Sequence, residues 1–310
     1  MRLARTLSLA AVVAVQFAIA APASATFSGG NGHIGFETAR TDEFDLWRMQ
    51  PDGSNKKRLT TSGLEDHSPA WGYTGIVFSR NAVGGGPGDI FRMAFGGTGV
   101  HRLTNTPSVS EVDPAWSPDT EVPLSQMRVL FSSSRTGHGD LYTIRASDGA
   151  NLTRITFSEK ADLGPDWSGG STLFPHGRIA FVSRRTGNGD LYVMKPNGSG
   201  LRRLTFSAGV DSQLSWNPDG KHIAFVSDRD GDKEIFTINA NGTGLRKLTN
   251  NDANDQGPVW APEHDRIAFM SNRDRQTFEI YTMKPDGTGI MRLTHDGFVD
   301  GFPTWQPFAG

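Results

Sequence analysis

The chain has 310 residues, 36% of them hydrophobic and 21% charged, which is enough for a large core. A formal charge of −2 excludes a general nucleic-acid binder, which needs a basic face to neutralise phosphates. The absence of cysteine excludes disulfides, thiol catalysis, cysteine-ligated metal and a cysteine-linked lipid anchor.

In chain order, the first element is a targeting segment. Arg2 and Arg5 supply a positive start, Leu7 to Ala20 is apolar but short for a permanent span, and Ala23-Ser24-Ala25 fits the small-x-small cleavage rule. The expectation is a signal peptide over residues 1–25 and one domain over 26–310, exported to a periplasm or beyond the cell. Cleavage removes Arg2 and Arg5 but no acid, leaving the mature chain more negative. No later segment is apolar enough to cross a bilayer.

The rest of the chain repeats one unit: a Trp, a turn, a strand such as Ile179-Ala180-Phe181, a polar turn, a strand such as Leu191-Tyr192-Val193-Met194, a Gly-containing turn, then Arg-Leu-Thr. Trp71, Trp116, Trp167, Trp216, Trp260 and Trp305 are separated by 45, 51, 49, 44 and 45 residues. Leu-Thr pairs at 59, 103, 204, 248 and 293, with Ile155-Thr156, follow the same ruler; Trp47 stands outside the Trp series. A period in the forties with four short strands per unit is the signature of a β-propeller. The turns Pro196-Asn197-Gly198, Asn241-Gly242 and Pro285-Asp286-Gly287 supply the positive φ that tight hairpins require. The first strand-forming run, Ile34-Gly35-Phe36, is of the second type in the unit, whereas the last, around Trp305, is of the first type. The C-terminal strand should therefore complete the N-terminal blade and close a ring of six four-stranded antiparallel blades.

Asp113-Pro114-Ala115-Trp116-Ser117-Pro118-Asp119, Trp216-Asn217-Pro218-Asp219-Gly220 with Ile223-Ala224-Phe225, and the Leu-Thr endings resemble the WD40-like (PD40) repeats of TolB-type propellers. The resemblance runs from about residue 29 to the end and speaks for fold more than function. TolB proper carries an α/β domain before its propeller that contacts an inner-membrane partner. Here only a few residues separate the cleavage site from the first strand, so membership of a Tol complex is not expected. Similar propellers of prolyl-oligopeptidase-type enzymes are followed by a hydrolase domain, and this sequence has no Gly-x-Ser-x-Gly elbow.

Five residues before each repeat Trp lies an acid: Asp66, Glu111, Asp162, Asp211, Asp255 and Asp300. Only 33 of the 310 residues are acidic, so six in register is a pattern. The position falls in the loop leading into each innermost strand, at a mouth of the central channel. Two readings stand open. Each acid could cap its turn or pair with an arginine, for which Arg40, Arg135, Arg185, Arg229 and Arg273, four residues after the strand Phe, are candidates, blade two deviating. Alternatively the acids, with His67 beside Asp66, form a ligand-binding ring. Two such charges ~10 Å apart repel by ~0.4 kcal/mol in water and by more at a protein surface, which would favour a divalent cation or a basic group. A second acid series, Asp45, Asp89, Asp140, Asp190, Glu234 and Glu279, closes the turn between the second and third strands.

Asp228 to Glu234 superficially resembles a calcium loop, but its Gly comes too early and the distal Glu is missing, so a hairpin turn is expected. Asn197-Gly198-Ser199 and Asn241-Gly242-Thr243 match the glycosylation pattern, and turn chemistry already accounts for them. The leading functional expectation is a monomeric binding or scaffold propeller that needs no cofactor, has a protein or peptide partner in the envelope or outside the cell, and admits a divalent cation at the mouth. The alternative is a metal-assisted polysaccharide lyase or hydrolase acting in the channel, as some related propellers do. The eight histidines do not recur in register, and no nucleophile, base and orienting group can be assembled.

Overall fold

A computed structural model describes residues 31–40, 43–119, 122–170, 176–274 and 277–307. The expected signal peptide lies outside the described residues. Those residues form six four-stranded antiparallel sheets and no helix. Blade 1 orders Asp300–Pro307, Asn31–Thr38, Asp45–Met49 and Lys57–Arg58, so the C-terminal strand does complete the N-terminal blade. Blades 2 to 6 open on the inner strands Asp66–Trp71, Glu111–Trp116, Asp162–Trp167, Asp211–Trp216 and Asp255–Trp260. Six blades closed in this way leave no open ring edge for another chain to pair with.

The lack of clean apolar–polar alternation has a direct cause: the central strands are covered on both faces. Ile179–Ser183 and Asp190–Met194 are buried at every position. Each repeat Trp is buried between its own blade and the preceding one. Trp116 packs with Ala70, Val77 and Ile90 of blade 2, and Trp216 with Ala180, Leu191 and Val193 of blade 4. The six apolar clusters are thus the six blade interfaces, including the one that closes the ring between Trp305 and blade 6. Trp47, outside the Trp series, faces Phe36 across the second and third strands of blade 1. Phe78–Phe91, Phe131–Tyr142, Phe181–Tyr192, Phe225–Phe236 and Phe269–Tyr281 occupy the same register.

In four blades the glycine of the third-to-fourth-strand turn has a second duty. A Cβ on Gly53, Gly97, Gly149 or Gly287, all at positive φ, would lie 2.5 Å or less from the carbonyl oxygen of Leu293, Leu59, Leu103 or Leu248 in the preceding blade. These turns therefore need glycine both for their dihedral and for blade-to-blade approach.

Every inner strand carries a bulge two residues after its leading acid, built on a left-handed residue: Ser68, Asp113, Gly164, Gln213, Gly257 and Phe302, with φ between 46° and 59°. Four of the six are not glycine, a local strain of about 1–2 kcal/mol each that the packed ring holds in place. Pro69, Pro114, Pro165, Pro258 and Pro303 follow in five blades. An inner strand is an edge strand, and proline there removes an amide that the bulge would leave without a ladder partner.

Candidate functional site: the channel mouth

The six leading acids meet at one face, where the loop into each inner strand lies beside the turn between the second and third strands. All six are completely buried. Each is held by an arginine of its own blade: Arg40–Asp300 at 2.7 Å, Arg80–Asp66 at 2.5 Å, Arg185–Asp162 at 2.8 Å, Arg229–Asp211 at 2.9 Å, Arg273–Asp255 at 2.7 Å, and Arg135–Glu111. Blade 2 deviates because its second strand runs on to Ala82 and supplies Arg80 from the strand itself. The guanidiniums also lie over the third-strand aromatics Trp47, Phe91, Tyr142, Tyr192, Phe236 and Tyr281, 4.6–5.3 Å from the ring centroids. From the centre outward the order is carboxylate, guanidinium, aromatic ring, so the acids brace the blades and the exposed part of each pair is cationic.

The second acid series is buried as well, and it explains the Arg-Leu-Thr motif. Asp45, Asp140, Asp190 and Glu279 pair with Arg58, Arg154, Arg203 and Arg292 at 2.7–2.9 Å, and Asp89 pairs with Arg102. The Nε of each of these arginines donates to the carbonyl of the motif threonine at 2.7–2.8 Å. The threonine hydroxyl accepts from the amide after the acid, as in Leu46 N–H to Thr60 Oγ1 at 3.0 Å and Leu191 N–H to Thr205 Oγ1 at 2.9 Å. The fourth strand thus needs only two ladder residues before side-chain bonds take over. Blade 5 differs: Lys247 stands in the arginine position, 3.7 Å from Glu234 and 3.1 Å from Asp230. The sequence reading missed these partners, although an arginine two residues before the motif threonine in five of the six blades was a visible signal.

The second residues of the inner strands, His67, Val112, Leu163, Ser212, Gln256 and Gly301, differ in chemistry from blade to blade. His67 Nδ1 lies 3.2 Å from Glu37 and Nε2 3.7 Å from Glu65, with the ring against Phe44. Burial opposes charging the ring, but the two carboxylates outweigh it and raise its pKa to about 10. At neutral pH it is an imidazolium, which has no lone pair to offer a metal. Asp166, deeper in blade 4, accepts the amides of Trp167 and Trp216 at 2.7 Å each, joining blades 4 and 5; burial pushes its pKa well up. Burial likewise raises Asp66, against the pull of Arg80, and lifts Asp300 to about 6 despite Arg40.

Among the described residues, Glu279, Asp296 and Asp300 are the one acidic trio close enough to share a cation. Arg40 bridges Asp296 and Asp300, and Arg292 takes Glu279, so guanidiniums already balance that charge. In the Asp228–Glu234 turn the carboxylates work separately. Asp228 accepts Val210 N–H, Asp230 pairs with Lys247, and Glu234 accepts Asn251 N–H. Asn197 and Asn241 accept the amides of Ser199 and Thr243, the turn role expected of them.

Residues 171–309 match the family model PD40, the TolB beta propeller domain. No curated protein matches the sequence. Among solved structures, TolB from Acinetobacter baumannii is similar over 89% of this chain and 67% of that one, with TM-score 0.76 and 20% identity. Hydrazine synthase from Kuenenia stuttgartiensis is similar over 89% and 46%, at 0.71 and 16%. A chain of a nidogen/laminin complex is similar over 84% and 91%, at 0.62 and 10%. At such identities the likeness to these structures is one of fold, and it embraces an enzyme as well as a protein complex.

Proposed function

We propose that this chain, a TolB-like β-propeller, is an exported binding protein that docks a protein or peptide partner on its channel mouth. The observation that carries this reading is the double belt of buried ion pairs beneath that face. Loops anchored in this way in all six blades form a rigid platform, and docking onto a rigid surface loses little conformational entropy. The named acids Asp66, Glu111, Asp162, Asp211, Asp255 and Asp300 would act by fixing the arginines and loops that the partner meets, with His67 adding positive charge in the lumen. Export follows from the signal-like segment, and no helix among the described residues is long and apolar enough to cross a membrane. A divalent cation is a second ligand class, and Glu279, Asp296 and Asp300 are where it would bind.

The test places a photo-crosslinking residue either at Ser158 on the mouth or at Asn241 on the opposite face, in protein expressed in its own host. A partner captured from Ser158 and not from Asn241 is the expected result. Capture from Asn241 alone would refute docking at the mouth. Calorimetric titration with calcium and manganese checks the cation, with binding lost in Asp296→Asn if the trio receives it.

A further inference from the structure

Two neighbouring blades break the repeat at the mouth. After the motif threonine, blades 1, 2, 5 and 6 continue with Thr61, Asn105, Asn250 and His295, whereas blades 3 and 4 continue with Phe157 and Phe206. Each of these two rings is 73% exposed. Neither hangs loose. The Arg154 guanidinium lies 4.7 Å from the Phe157 centroid, and Arg203 lies 4.6 Å from that of Phe206. The loops beneath are tied down. His138 Nε2 sits 2.7 Å from the Ser158 carbonyl, and the Asn188 side-chain amide donates to the carbonyls of Ser207, Ala208 and Gly209.

The loop after Phe206 ends at Val210, which is also exposed, and the Val210 amide donates to Asp228 at 2.6 Å. The apolar loop is thereby stitched to the turn of blade 5, where the surface becomes acidic. Asp230, Asp232 and Asp252 line an open recess of about 720 Å³ in which Lys247 is the one lining cation among the described residues. Lys233 of the same turn donates to Gln256 at 3.0 Å. At the other end, Lys160 and Arg184 are exposed on the loops of blades 3 and 4, with Glu159 beside Lys160.

A rigid strip that is apolar at one end and anionic at the other is complementary to an apolar–basic segment lying in one direction. We infer that the mouth loops of blades 3 to 5 are a docking strip for an extended segment of a partner protein with apolar side chains at one end and lysine or arginine at the other. The apolar side chains pack on Phe157, Phe206 and Val210, and the cationic heads enter the recess of Asp230, Asp232 and Asp252. This inference rests on the mouth reading and gives the partner its chemistry.

The experiment uses the mature protein and three labelled short peptides, read by fluorescence anisotropy. One carries leucine and phenylalanine followed by arginines, one has glutamates for the arginines, and one has serines for the apolar residues. The first should bind at least about tenfold more tightly than either control. F157S/F206S and D230N/D232N/D252N should each weaken it by about tenfold or more, and added salt should weaken it in wild type but little in the triple Asn variant. All five positions are solvent-accessible, and matched thermal melts check that the variants fold. Tighter binding of the glutamate peptide, no binding of any peptide, or affinity unchanged in both variants overturns the strip. Two further variants separate the two readings. Binding blocked by Leu163→Trp beside the inner-strand acid Asp162 but unaffected on the strip leaves the mouth reading standing alone, and binding lost only in His222→Ser on the opposite face removes both.

Discussion

The two belts of ion pairs use the same chemistry and differ in what covers it. In the inner belt the arginine side chains are 10–25% exposed and lie over aromatic rings. In the outer belt the partner cations range from 13% exposed at Arg292 to 43% at Arg102. The acids are buried in both, so what differs is how widely the cation's access to water varies. The inner belt tolerates little change: all six blades keep arginine, and where blade 2 cannot place it in the turn the strand supplies it. The outer belt has drifted. It accepts a lysine in blade 5 and carries exposed phenylalanines over its arginines in blades 3 and 4. Structural demand is concentrated toward the axis, and the freedom to evolve a binding surface lies further out.

Removing one arginine from each belt of a single blade tests that contrast most strongly. Arg80→Ala in blade 2 leaves Asp66 buried without its counter-charge and should cost about 3–5 kcal/mol. Arg102→Ala removes a cation that is 43% exposed and leaves Asp89 with the Thr106 amide, and should cost about 1–2 kcal/mol. Urea denaturation of both variants measures the gap, and equal losses would show that exposure of the cation does not matter.

Acidity offers a second test within the inner belt. Burial holds the Asp300 pKa near 6 in the fold, above its ordinary value of 3.8. The folded chain therefore keeps this proton after the unfolded chain has released it. Its contribution is most favourable below about pH 4 and is lost as pH rises through about 6, by roughly 3 kcal/mol at full effect. Asp300→Asn, with Arg40 still paired to Asp296, should flatten the fall in stability between pH 4 and 6. Parallel slopes for wild type and variant would show that Asp300 is already ionised at pH 4.

The smallest effect sharpens the contrast from the outer side. Lys247→Arg would restore the fork that elsewhere spans the acid and the threonine carbonyl, and should raise stability by about 0.5–1 kcal/mol. A destabilised variant would show that the recess of blade 5 has been reshaped around lysine.

The amino-acid order by itself determined the period, the six blades, the four strands in each and the closure of blade 1 by the C-terminal strand. These follow from local patterns copied along the chain, and a copied pattern carries its own register. It also placed the six acids at one mouth and proposed five of the arginines that hold them, because both lie at fixed offsets from Trp and Phe. Only the tertiary structure decided where the carboxylates point. The left-handed bulge at Ser68 and its equivalents reorients the inner strand, and three of those residues, Ser68, Gln213 and Phe302, are types for which no sequence rule calls a positive φ. The threefold use of Arg-Leu-Thr, the role of Trp47 as the third-strand aromatic of blade 1, and the exposure of Phe157 and Phe206 were likewise decided by neighbours far apart in sequence. A motif states which residues recur; whether a side chain faces a neighbouring blade, the channel or water depends on what the closed ring places against it.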